Sequence, residues 1–351
     1  MGRAIWLTWK MHRFEVVAGL ALMGVIAISA FVVTGHITAL GIDASCWPRD
    51  EDGNFATRAC DASIQLFWGI SGGEGQMVRL ALAFVAPVVG LLLGVPVVAR
   101  ELELRTTSLA WSLEGRRSRW LLSRTLPMLL IVLVGCAFVA VAGSGLFDAF
   151  RWANEWPYVH EVGSSGVGLV ARAMMAFGIA LLVGALAGRT MPALVVAAVL
   201  VLAWGLGGVA VVQGQLTERL VEWQREDNGS WMVRTPRYLG YVGGGQFDVS
   251  KPGIDGEPGA RIDDQVVYQQ MVTACGEAPN DDTGESPEYQ AWAGCAGPIS
   301  NAAYAVASQW SKSVPGSRWG EYVAADVIPN LLIGGIAILL TFPVVARRRP
   351  G

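Results

Sequence analysis

Two serines stand in the Gly-x-Ser-Gly pattern used by intramembrane serine proteases: Ser71 in Gly69-Ile70-Ser71-Gly72 and Ser165 in Gly163-Ser164-Ser165-Gly166. A serine becomes a nucleophile only when a base within hydrogen-bond reach takes its proton. The histidines are His12, His36 and His160, and none lies in a later apolar stretch that would hold such a base. Both matches therefore read as Gly/Ser turns. Gly166-Val167-Gly168 is half of a dinucleotide fingerprint, but no strand precedes it. No Walker A lysine loop occurs, so no cofactor is expected on this chain. Asn228-Gly229-Ser230 fits a glycosylation sequon, which matters only in a host that glycosylates.

The cysteines carry a second kind of chemistry. Cys46 and Cys60 share one polar stretch, Cys275 and Cys295 share another, and Cys136 sits within an apolar run. Two local disulfides, Cys46 with Cys60 and Cys275 with Cys295, are the expected state on an oxidising side. Free thiols or a zinc site are the alternatives, although no histidine accompanies Cys275 and Cys295.

The elements holding these residues follow from composition. The 351 residues are 53% hydrophobic and only 16% charged, with a formal charge of −3. That balance disfavours a disordered chain and a nucleic-acid binder, and points to a polytopic membrane protein. A membrane core of about 30 Å needs roughly 20 apolar residues per helix. Six stretches meet that length: 16–38, 77–99, 125–147, 167–187, 193–212 and 327–346. Their only formal charges, Arg79 and Arg172, lie near segment starts and are read as snorkelling to headgroups. The expected fold is all-α, with six transmembrane helices and a large disulfide-containing extracellular domain, 213–326, between the fifth and sixth.

Charge placement sets the orientation. With the N-terminus inside, thirteen basic and four acidic residues fall on the inner segments, concentrated in 1–15, 100–124 and 347–351. Basic residues near membrane ends stay cytoplasmic, so both termini are expected there. The loops 39–76 and 148–166 and the domain 213–326 are then extracellular. The uncharged run of the first stretch is too long for a cleaved signal peptide. Ile5, Trp6, Trp9 and Arg13, with Arg3 and Lys10, fit a surface helix leading into it. Within the large domain, Leu216, Leu220 and Trp223 share one helical face, and Val267, Met271 and Cys275 follow four-residue spacing. Between them, 231–258 reads as turns and short strands. The short loop with Trp152, Trp156 and Tyr158 is read either as dipping into the interface or as simply exposed. Gly90 with Gly94, and Gly184 with Gly188, have the small-residue spacing expected at a dimer contact. Pro87 and Pro96 are placed to bend the second span.

The inner segment from Ala99 to Trp120 is the most distinctive. It opens with Glu101 and Glu103, continues through Arg105 to the pair Thr106 and Thr107, and ends in Arg116, Arg117 and Arg119. Leu102, Leu109, Trp111, Leu113 and Trp120 could seat it on a membrane or in a partner's groove. In this region the chain resembles the ABC type-2 permease family, particularly bacterial exporters, with Arg105 standing where the family often has Gly. The resemblance implies a half-transporter in the bacterial cytoplasmic membrane. A second permease subunit, identical or not, would complete it, and separate nucleotide-binding ATPase subunits holding ATP and Mg would dock beneath. It implies that Glu101, Glu103, Arg105, Thr106, Thr107, Arg116, Arg117 and Arg119 couple to the ATPase. It also implies that the second and fifth spans line the path, with Met77, Phe84 and Trp204 near substrate. The expected activity is export of a hydrophobic or amphipathic compound, such as an antibiotic or peptide, which would make drug resistance its phenotype. A membrane scaffold or sensor with a ligand-binding outer domain is the second reading, and an intramembrane hydrolase the third. Membrane lipid is a further expected partner, and nucleic acid is not.

Overall fold

The structure is a computed structural model that describes residues 2–42, 58–104, 117–151, 163–208, 222–225, 264–279, 286–308, 310–313 and 318–347. Two compact units are present, one formed by Met1–Leu216 with Gly320–Gly351 and the other by Thr217–Trp319.

The described residues of the first unit form helices joined by short turns. α1 runs Gly2–Ala39, α2 Arg58–Ile70, α3 Gln76–Glu103, α4 Arg117–Arg151, α5 Gly166–Ala187, α6 Thr190–Ala203 and α9 Trp319–Arg347. Five of these pieces are long and apolar enough to cross a membrane: His12–Ala39, Ala62–Glu103, Arg117–Phe150, Gly166–Ala187 and Gly320–Arg347. The stretch expected at 193–212 is shorter. Its α-helix stops at Ala203 and passes into a π-helical turn, Trp204–Gly208.

Helix ends differ from the hydropathy boundaries because charged and polar residues continue the helices beyond the apolar core. α4 begins at Arg117 rather than Thr125, and α9 at Trp319 rather than Val327. The Ser71 motif, expected as an outer-loop turn, lies in a π-helical stretch, Ser71–Gly75, that joins α2 to α3. A widened helix turn absorbs its glycines without ending the helix. His12 has φ −114° and ψ 15°, so α1 bends there, between the expected surface helix and the first span.

The core joins one face of α1 (Val16, Met23, Ala27, Ala30) to Val89 and Leu93 of α3, Val132 and Cys136 of α4, and Phe177 and Leu181 of α5. The opposite faces stay apolar and exposed, as Ile28 and Phe31 on α1, Val134 and Phe138 on α4, and Ile336 and Leu339 on α9 illustrate. An exposed apolar belt around a polar-ended helical unit suits lipid rather than water.

The glycine pairs correct one expectation. A Cβ at Gly90 would lie 2.7 Å from the Ala176 methyl, and one at Gly94 2.7 Å from the Ala180 methyl. One at Gly184 would lie 3.0 Å from the Val95 carbonyl oxygen. These residues bring α3 and α5 together within the chain and are not free for a dimer contact. Gly188 instead takes φ +65° to cap α5, a left-handed conformation that glycine adopts without strain.

In the second unit, β1 (Glu222–Arg225) pairs antiparallel with β2 (Trp310–Ser313), Glu222 opposite Ser313 and Arg225 opposite Trp310. Trp223, expected on a helix, is thus in a strand whose pairing is non-local. α7 (Asp264–Cys275) and α8 (Pro287–Ser308) are joined by the Cys275–Cys295 disulfide. The Trp292 ring N–H donates to the Gly276 carbonyl at 2.9 Å, and the Ser286 hydroxyl accepts the Tyr289 N–H. Cys60 is disulfide-bonded, Cys136 is a free buried thiol, and Cys46 lies outside the described residues.

Candidate functional site

The last turn of α3 and the first turn of α4 flank residues 105–116 in sequence, and charged side chains tie this end of the unit together. Glu101, only 4% exposed, has its carboxylate 3.6 Å from Arg124 Nε. Arg124 is also buried, so the two charges neutralise each other where water cannot. One residue earlier, Arg100 donates to the Glu15 carboxylate just past the α1 bend. Two residues later, the Glu103 carboxylate accepts the Thr190 N–H at 2.9 Å and the Thr190 hydroxyl at 2.7 Å. That contact places an anion at the N-terminus of α6, where the helix dipole favours it. Arg117 donates to the Ala346 carbonyl at 2.7 Å, fixing the last turn of α9. His12 is buried at this same end.

Three residues within one turn of α3 therefore reach three helices: Arg100 reaches α1, Glu101 reaches α4 and Glu103 reaches α6, while Arg117 links α4 to α9. Helical spacing explains the division, because neighbouring residues point about 100° apart around the axis. We refer to this set of contacts as the joint.

The sequence places Glu101, Glu103, Arg117 and Arg119 in one cytoplasmic contact surface, but the structure divides them. Glu101 is inside the joint and offers no surface to a partner; Arg117 is partly buried and engaged. Glu103 and Arg119 are exposed. Arg105, Thr106, Thr107 and Arg116 lie outside the described residues, as do Leu109, Trp111 and Leu113. Trp120, expected as a membrane or partner anchor, is fully buried within the unit. Arg124 counts in the sequence only as one more inner cation, and its pairing needed the helix register to become visible.

Met77 and Phe84 are exposed on one side of α3, seven residues apart. Trp204 is elsewhere, its ring N–H donating to the Asn330 Oδ1 of α9 at 2.9 Å. Among the described residues, no contact brings these three together.

The two intramembrane arginines are held by protein groups rather than extended to headgroups. Arg79 donates to the Ser71 carbonyl at 3.2 Å and its guanidinium lies 4.7 Å from the Phe150 ring centroid. Arg172 donates to Asp326 Oδ1 at 2.9 Å, and the Asp326 side chain is fully buried. Asn330, one turn further along α9, donates to the Asp326 carbonyl at 2.7 Å. Hydropathy alone leaves Asp326 at the end of the outer domain, because the apolar run begins at its neighbour. Its burial shows that the polar start of α9 belongs to the helical unit.

A family model described as ABC-2 membrane transporter related matches residues 16–213. No curated protein and no solved structure matches the chain. The matched region runs from within α1 to beyond α6 and holds Arg100, Glu101, Glu103, Arg117 and Arg124 of the joint, while Glu15, α9 and the second unit lie outside it.

Proposed function

The chain belongs to the ABC-2 membrane transporter related family, and from that premise we propose that it is the membrane-spanning half of an ATP-driven exporter for hydrophobic or amphipathic compounds. Such a multi-pass membrane component has no ATP-binding domain of its own, and its driving force must cross a subunit boundary. Six spans are placed in a bacterial cytoplasmic membrane, the fifth being α6 continued through its π turn. The joint lies on the cytoplasmic side and the unit Thr217–Trp319 outside. A second permease subunit completes the path.

The observation that carries the reading is the joint itself. The contacts at Arg100, Glu101, Glu103 and Arg117 reach α1, α4, α6 and α9 from the two helices that flank residues 105–116. A displacement of that segment by an ATPase subunit would be passed to five helices through charged contacts rather than through one flexible loop. Glu103 and Arg119 are the exposed candidates for touching the ATPase, together with Arg105, Thr106, Thr107 and Arg116. Glu101 is a positioning residue that acts through Arg124.

A photo-crosslinking amino acid placed at Thr107 tests the docking surface in the full complex, co-expressed with a candidate ATPase subunit. Cross-linking to the ATPase from position 107, and only to lipid from Phe138, is expected. Capture of lipid alone from both positions would remove the docking assignment.

A further inference from the structure

α9 buries one narrow stripe, Tyr322, Asp326, Asn330, Ala337, Thr341 and Val345, while Ile328, Leu332, Ile336 and Leu339 stay exposed. A helix packed through so little of its circumference is held by few contacts, and their positions along its axis decide how it can move. At the end far from the joint, Asp326 accepts from Arg172 of α5. One turn further, the Asn330 Oδ1 accepts from the ring N–H of Trp204, the first residue of the π turn that continues α6. At the joint, the Ala346 carbonyl accepts from Arg117 of α4. Between these ends α9 and α5 meet backbone to backbone. A Cβ at Gly334 would lie 2.7 Å from the Met174 carbonyl oxygen, and one at Gly178 would run into the Gly334 carbonyl.

Small residues let two helix backbones approach closely. With no side chain interlocked at the crossing point, rotation about it displaces no packed group there. The crossing divides α9, which is one continuous helix through Pro329 and Pro343. Asp326 lies eight residues to one side of Gly334 and Ala346 twelve to the other, so at 1.5 Å per residue the arms are about 12 and 18 Å. A push of about 3 Å on the joint end then carries Asp326 about 2 Å the other way, enough to take its 2.9 Å bond to Arg172 out of hydrogen-bond reach. An apolar groove of about 380 Å³ runs between α5, α6 and α9 from Trp204 past Ile179, Leu200 and Ile336 to Leu340. It gives the joint-end arm space to move toward α6. Ionisable groups at bilayer depth are costly and mark functional positions, and here they sit where the lever would release.

We infer that α9 is a lever pivoting on the Gly178–Gly334 crossing, and that Arg172, Asp326 and Asn330 are positioning residues that hold its far arm closed until the joint end is pushed. The inference rests on the proposed ATP-driven export and assigns the helix that carries the push across the membrane.

The test measures distances between spin labels on the full chain in nanodiscs, first without any ATPase. Cysteines at Leu202 and Ile328 report on the far arm, and cysteines at Met191 and Leu340 on the joint-end arm; all four side chains are exposed. In Asp326→Asn the far distance should lengthen and the joint-end distance shorten. Exchanging the pair, Arg172→Asp with Asp326→Arg, should return both to their unmodified values. Asn330→Leu, which frees the far arm from Trp204 without leaving a charge unpaired, should shift both in the same senses but less, and serves if Asp326→Asn does not elute as the unmodified chain does. Movement of the far arm alone, or of neither, would overturn the lever, as would a failure of the exchanged pair to restore the distances. With a candidate ATPase, ATP and vanadate, the unmodified chain should show the same opposite shifts. Opposite shifts in the chain alone, with no ATPase recruited, would uphold the lever and remove the export reading. ATP-driven transport in which the two distances change together or not at all would do the reverse.

Discussion

Glu101 shows how a residue's role changes once its neighbours are known. In sequence it is an acid at the start of a cytoplasmic segment, equally able to cap a helix or to meet a partner. In the structure it is buried against Arg124. Removing one member of a buried pair leaves the other charge uncompensated, at a cost of about 3–5 kcal/mol. Glu101→Gln and Arg124→Met are each expected to lower the thermal unfolding temperature of the detergent-solubilised chain. The double substitution should be less destabilised than the sum of the two. Strict additivity in that double-mutant cycle would show that the pair contributes nothing. A similar dependence holds for Arg172 and Asp326, which join α5 to α9 where the sequence offered only an isolated arginine and an acid beyond a domain boundary.

At the scale of elements, hydropathy identified the apolar centres of the helices but not their ends or their partners. The apolar stretch 167–187 nearly coincides with α5, because Gly188 stops the helix with a left-handed cap. The stretch 125–147 begins eight residues inside α4, because Arg117, Arg119 and Arg124 continue the helix in sequence that hydropathy scores as loop. The strand at Trp223 was illegible for another reason: its pairing partner is near residue 312, and local spacing cannot register a contact across so much chain. The glycines of α3 were visible as a small-residue pattern, but the pattern does not say which helix fills it. Gly94→Ala should destabilise the unit by about 1–3 kcal/mol, since the new methyl meets the Ala180 methyl and the Phe177 carbonyl at 2.7 and 2.8 Å. Gly24→Ala, with nothing within 4 Å of the added methyl, should be neutral or slightly stabilising. Differential scanning fluorimetry on the two variants distinguishes them; equal shifts would mean that α3 and α5 do not pack this closely.

For the whole molecule, the charge asymmetry and the cysteine positions make one topology testable. Non-reducing peptide mapping should find Cys46 linked to Cys60 and Cys275 linked to Cys295, with Cys136 unmodified until the chain is unfolded. Opening the Cys275–Cys295 loop by Cys275→Ser with Cys295→Ser should destabilise the unit Thr217–Trp319 by about 2–4 kcal/mol. A membrane-impermeant thiol reagent should reach Cys275 in intact cells only after reduction, and a cysteine introduced at Arg119 only after the membrane is opened. Labelling of position 119 from outside would invert the topology and move the joint away from any cytoplasmic ATPase. The ATPase link itself is tested most directly by the ATP hydrolysis rate of the co-purified complex in nanodiscs, with and without an amphipathic compound, in the unmodified chain and in Glu103→Ala. Glu103 holds α6 through Thr190 and is one of six residues proposed to face the ATPase, so that variant should still capture the ATPase through the other five and keep its basal rate. The account predicts that compound stimulation is lost in Glu103→Ala while basal hydrolysis persists; full stimulation in that variant, or no stimulation in the unmodified complex, would contradict it.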